Sequence, residues 1–156
     1  MPTVALQPRV HHVGVQTSDL DNSVRWYTEF FGARVAWELD RFSDLTLSRL
    51  PGIRRLAEVA VDGLRVHLFD RAGHSRELPP EQAYQFQHVC LQVDRVKDLV
   101  TARDRWIELY ESGRFSFARA DAPTDIVVDA DGVSSLYLFD PNGLEYEFTH
   151  VPAGSR

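Results

Sequence analysis

The spacing of apolar positions changes several times along the chain, and each change predicts an element. Residues 9 to 16, RVHHVGVQ, are rich in β-branched side chains and predict a strand. The next stretch, SDLDNSVRWYTEFFG, shifts to helical spacing, with Leu20, Val24, Tyr27 and Phe31 on one face, Ser18 or Asp19 as N-cap and Gly32 as terminator. Strands are predicted at 33–39, 44–49, 56–61 and 64–70, separated by turn residues such as Pro51-Gly52 and Asp62-Gly63. A polar segment, RAGHSRELPPEQAY at 71–84, carries Pro79-Pro80 and predicts a linker between two halves. The order then restarts: FQHVCLQV as a strand, a helix over about 95–110 with Val96, Leu99, Val100 and Ile107 on one face, and strands near 114–119, 133–139 and 144–150.

The restart is an internal repeat of one helix among several strands, an α+β pattern. His12-Val13-Gly14-Val15-Gln16 matches His88-Val89-Cys90-Leu91-Gln92 at an offset of 76 residues, and Gly63 to Leu68 matches Gly143 to Phe148 at an offset of 80. One loop length absorbs the difference. The alignment pairs His12, not His11, with His88, and pairs His67 with Glu147.

Side chains alternate between the two faces of a strand. Leu144, Tyr146 and Phe148 therefore take a face that packs on a helix, while Glu145, Glu147 and Thr149 take the other. The same sorting sets His12 and Gln16 against Val13 and Val15, His88 and Gln92 against Val89 and Leu91, and His67 against Val66 and Leu68. Should the halves curve toward each other, these donors would converge in one concave site. Two imidazoles and a carboxylate make the 2-His-1-carboxylate set that suits non-haem Fe(II), and a fourth donor would equally suit Ni²⁺, Zn²⁺ or Co²⁺. His11, His74 and His150 lack a repeat partner and read as structural or exposed. Cys90 reads as a small packing residue.

Bulk properties narrow the partners. A chain of 156 residues fits a single domain with a sizeable core. Its net charge of −6 argues against binding the nucleic-acid backbone, and no apolar run approaches a membrane span. One cysteine and an N-terminus without a secretory pattern lead to the expectation of a reducing cytosol. Small molecules, or other proteins including further copies of the chain, remain as partners.

These residues resemble the vicinal oxygen chelate superfamily of glyoxalases, extradiol dioxygenases, epimerases and antibiotic-resistance proteins, over nearly the whole chain. The resemblance implies two paired βαβββ modules, at about 9–70 and 85–151, forming a curved sheet around a metal site with helices on the outer face. It also implies a metal held by His12, His88 and Glu147. Within the superfamily, Leu136, Tyr137, Asp140, Pro141, Gly143 and Glu147 resemble the extradiol dioxygenase signature. That signature opens with a His that is missing here, where Val128, Asp129 and Ala130 stand, so Asp129 or Asp131 would have to replace it or the group is absent. His67 stands where the family places a second acid/base His. Its role stays open between acid/base group and fourth ligand.

The resemblance thus implies Fe(II), with Mn, Ni, Zn or Co as alternatives, and cleavage of a catechol by dioxygen, with Tyr137 and His67 as catalytic residues. Chain length and the partial signature resemble the small L-DOPA 2,3-dioxygenases of bacterial natural-product pathways. A glyoxalase- or epimerase-like lyase or isomerase is the first alternative, and a metal-free antibiotic-binding resistance protein the second. Module pairing within a chain and across a homo-oligomer are both compatible with the repeat. Arg41, Arg54, Arg55, Arg114 and Arg119 stand equal as anchors for a substrate carboxylate.

Overall fold

The structure is a computed structural model that describes residues 5–71, 73, 77–83 and 86–155. Residues 72, 74–76 and 84 of the predicted linker, including His74, lie outside the described residues. The chain runs β1 (Val13–Thr17), α1 (Leu20–Phe31), β2 (Arg34–Leu39), α2 (Asp44–Arg49), β3 (Arg55–Val61), β4 (Leu64–Asp70), β5 (Val89–Gln92), α3 (Val96–Glu111), β6 (Val127–Val128), β7 (Ser134–Phe139) and β8 (Glu145–His150). Two four-stranded mixed sheets result, ordered β1-β4-β3-β2 and β5-β8-β7-β6. In each, the first strand of the module pairs parallel with the last, and the other pairs are antiparallel. The repeat is therefore a repeat of βαβββ topology, with α2 inserted in the first copy.

Local chemistry explains the helix ends. Asp19 caps α1 by accepting the Asn22 backbone N–H at 3.0 Å, and Gly32 closes it in the left-handed region at φ 70°. Two strand expectations fail. Residues 44–49 form α2 because Ser43 accepts the Thr46 N–H at 3.2 Å, with Asp44 in the first turn and Arg49 in the last. None of its residues is buried, so the alternating DLTL pattern has no sheet face to serve. Residues 114–119 form no strand, because the Asn22 side chain takes both backbone groups of Ser116 at 2.9 Å. Phe115 and Phe117 in this segment pack on the core without a ladder. Along α3 the buried face is Leu99, Trp106 and Leu109, while Val96 and Val100 stay exposed. Trp106 fixes this rotation by donating its indole N–H to the Phe139 carbonyl at 2.7 Å.

One core serves both modules. Val15, Val59, Val66 and Leu68 of the first sheet and Leu136, Leu138, Tyr146 and Phe148 of the second bury their apolar faces on the helices. Phe31 of α1 lies 5.6 Å from the Tyr146 ring and 6.1 Å from the Phe148 ring, and α1 packs on α3. Polar clamps join the modules. Tyr27 donates to the buried Asp140 carboxylate at 2.8 Å, and its oxygen lies 3.0 Å from the Tyr146 hydroxyl. Because the helices occupy the apolar face of each sheet, the faces that carry the candidate donors turn away from the shared core and from each other. Neither sheet closes on the other.

Candidate functional site

On the first sheet, register builds the polar face in rows. Gly14 of β1 lies opposite His67 of β4, His67 opposite Glu58 of β3, and Glu58 opposite Trp37 of β2. His67 and Glu58 are both buried, and Glu58 Oε2 sits 2.8 Å from His67 Nε2. A carboxylate accepts, so Nε2 carries the proton and the lone pair of His67 is left on Nδ1. The His12 ring stacks on His67 with centroids 3.6 Å apart and planes 7° from parallel, and His11 Nδ1 lies 2.8 Å from His12 Nδ1. Burial and the neighbouring His67 and His11 hold the His12 pKa below its ordinary value, against the opposing charge of Glu58. A neutral His12 keeps the lone pair that a metal requires, on Nδ1, where His11 Nδ1 stands 2.8 Å away and would have to give way to the ion.

Glu58 escaped the sequence reading, although a signal existed. A carboxylate in the apolar run RLAEVAV is out of place on a strand buried on both faces. The two-residue turn Asp62-Gly63 sets Val61 opposite Leu64, and counting back along the hairpin sets Glu58 opposite His67.

On the second sheet Glu147 is the centre. Tyr137 of β7 and Cys90 of β5 are its direct cross-strand neighbours. His88 Nε2 lies 3.1 Å from Glu147 Oε2, and His88 Nδ1 lies 4.0 Å from Glu145. Partial desolvation, then the charge of Glu147, raises the Tyr137 phenol, and the same causes push the Cys90 thiol up to about 11. Both groups stay protonated near neutrality and hydrogen-bond to Glu147. Cys90 is exposed at this polar face, contrary to the expectation of a packing residue.

The structure thus brings His88 together with Glu147 and Tyr137, and His12 together with His67. It does not unite the two sets within one chain. Among the described residues the one group of three or more donors with mutual distances under 4.8 Å is His11, His12 and His67. The donor chemistry still fits a divalent ion. His88 Nε2 and Glu147 Oε2 are in direct hydrogen-bond contact at 3.1 Å, a spacing close to the roughly 3 Å between two ligand atoms at right angles about a metal, so an ion could replace the shared proton with little movement. Asp129, where the signature His is missing, accepts the Asp131 and Val133 backbone N–H groups at 2.9 and 3.0 Å and so shapes its own turn. No described helix is long and apolar enough to cross a membrane.

A family model described as the glyoxalase/bleomycin resistance protein/dioxygenase superfamily matches residues 9–148. Among solved structures, a glyoxylase/bleomycin resistance protein/dioxygenase domain from Frankia sp. EAN1pec is 22% identical, with 96% of each chain covered and a TM-score of 0.72. Lactoylglutathione lyase from Agrobacterium tumefaciens is 18% identical, covering 92% of this chain and 94% of its own, with a TM-score of 0.59. The fosfomycin resistance protein FosX from Listeria monocytogenes, in complex with Mn(II) and sulfate, is 13% identical, covering 97% of this chain and 98% of its own, with a TM-score of 0.59. These likenesses are of fold. No curated protein sequence matches the chain.

Proposed function

Since the chain belongs to the glyoxalase/bleomycin resistance protein/dioxygenase superfamily, we propose that it is a metal-dependent enzyme that cleaves a catechol ring with dioxygen, with L-DOPA as the specific substrate. The observation that carries the reading is the second sheet: His88 and Glu147 at a metal-edge distance of 3.1 Å, with a protonated Tyr137 beside them. His12 completes a 2-His-1-carboxylate set. A divalent ion there, Fe(II) by the donor set, would supply positive charge and open positions for two adjacent substrate oxygens and dioxygen.

The protein residues divide the remaining work. Tyr137, whose one proton goes to Glu147 until that carboxylate turns to the metal, would then donate it to a substrate oxygen, and His67, with Nε2 tied to Glu58, takes a proton from the catechol at Nδ1. In this reading the site forms between two copies, one presenting His12 and His67 and the other His88, Glu147 and Tyr137. The motive is the placement of the two faces on opposite sides of one core. A second reading, a lyase or isomerase with His67 as fourth ligand, draws on the close grouping of His11, His12 and His67.

The test loads the protein anaerobically with Fe(II), adds L-DOPA or a simpler catechol, admits air, and records oxygen uptake with the absorbance of a ring-opened product. Glu147→Gln should lose both bound iron and turnover. Mixed and re-paired His12→Ala and Glu147→Gln chains should recover about a quarter of wild-type activity, since random pairing gives half heterodimers with one intact site each. Metal binding without oxygen uptake would move the assignment to the lyase or isomerase. Failure of the mixed variants to recover would refute the site shared between two copies.

A further inference from the structure

The polar face of the first sheet continues beyond the Glu58–His67 row into a cationic end. Ala60 of β3 lies opposite Arg34 on β2 and Arg65 on β4, so two guanidinium stems flank a side chain too small to fill the space between them. Strand parity places Arg65 on the same face as His67, one step along β4. Beyond Arg65 stands His12. These residues line a cavity of about 840 Å³ together with Arg9, with Asp62 in the turn as its one acidic lining residue.

Ion pairing separates these two arginines from four of the other five that stood equal as anchors for a substrate carboxylate, Arg41 being the exception. Arg54 is paired with Asp70, Arg55 with Asp21 and Glu38, Arg114 with Glu29, and Arg119 with Asp121. Among the described residues neither Arg34 nor Arg65 has a carboxylate within ion-pair distance. Arg65 Nη1 instead donates to His11 Nε2 at 3.4 Å, which turns its guanidinium toward the histidine cluster. Two cations left without counter-ions beside a candidate metal ligand, in a cavity of substrate size, form an anion receptor.

We propose that Arg34 and Arg65 bind a carboxylate of the substrate, and so make the enzyme specific for anionic substrates whose reacting end lies at His12. The inference rests on the proposed function only for the nature of that reacting end. The planar guanidinium fork favours a carboxylate, which it can grip with two parallel hydrogen bonds. Arg41, which also has no ion-pair partner, lies beyond the end of β2 and does not line the cavity.

The test titrates 3-phenylpropionate and its neutral analogue 3-phenylpropanamide into the metal-free protein by calorimetry. The carboxylate should bind at least about tenfold more tightly than the amide, the size of one charge-assisted hydrogen bond. The double variant Arg34→Gln/Arg65→Gln should lose this preference with amide binding unchanged, and Arg49→Gln on α2 should retain it. Equal binding of both probes, binding of neither, or a preference that survives in the double variant would overturn the inference. Oxygen uptake by the Fe(II)-loaded protein is measured in parallel with anionic 3-(3,4-dihydroxyphenyl)propionate and with neutral 4-methylcatechol. Turnover without a carboxylate preference overturns the inference alone, and a preference without any oxygen uptake overturns the dioxygenase reading alone.

Discussion

Replacing Tyr27 by Phe removes one oxygen from the junction of the two modules, and its cost can be worked from the hydrogen bonds. A phenol has a single proton. Tyr27 gives it to Asp140 at 2.8 Å, so the 3.0 Å contact with Tyr146 must be donated by the Tyr146 hydroxyl. The chain of donation runs Tyr146 to Tyr27 to Asp140, with all three residues buried. Tyr27→Phe therefore strips a bond to a buried carboxylate, about 1.5–3 kcal/mol, and orphans the Tyr146 hydroxyl, about 1–3 kcal/mol. The sum is an upper bound because neighbouring terms are not additive. A loss of about 2–4 kcal/mol is expected, a large share of the roughly 5–15 kcal/mol of a typical domain. Urea unfolding followed by circular dichroism measures it, with an unchanged m-value as the check that only stability moved. A loss below about 1 kcal/mol would refute the reasoning, since it would mean that Asp140 and Tyr146 are satisfied without this hydroxyl.

Asp140 itself gives a pH test, because burial raises its pKa while hydrogen bonds from Tyr27, Leu144 and Asn142 oppose the rise. A raised native pKa contributes stability that is fully present below the unfolded value near 4 and is lost as pH rises through the native value. The penalty of Asp140→Asn should thus be smaller at pH 7.5 than at pH 5 by urea unfolding, and the opposite order would show that the hydrogen bonds outweigh burial. Glu58→Gln keeps an acceptor for His67 but removes the charge, and should lower kcat about 10–100-fold with iron content unchanged by metal analysis. A parallel loss of iron would make His67 a ligand. Gly143 sits at φ 87°, and an added Cβ would meet Leu78 Cδ2 at 2.8 Å. That side-chain end can move but the backbone cannot, so Gly143→Ala should cost about 1–2 kcal/mol in the same unfolding assay, and no measurable loss would contradict it.

By itself the sequence determined what is local. Strand alternation sorts Val66 and Leu68 from His67, and Tyr146 and Phe148 from Glu147, and the repeat pairs His12 with His88, because side-chain direction and hydrogen-bonded turns depend on neighbours a few residues away. The Asp62-Gly63 turn carries the Glu58–His67 pairing in the same way. Alternation misled only where no sheet received it, at α2 and at Phe115 and Phe117. The tertiary structure alone decided which faces meet. Docking of α1 and α3 between the sheets sums many apolar contacts of both modules, and it turns His12 and Glu147 to opposite sides of the core. It also decided which arginines are spoken for. The carboxylate that holds Arg114 lies 85 residues away at Glu29, a distance in sequence over which no spacing rule acts. Arg34 and Arg65 come to flank one cavity only because β2 and β4 both pair with β3.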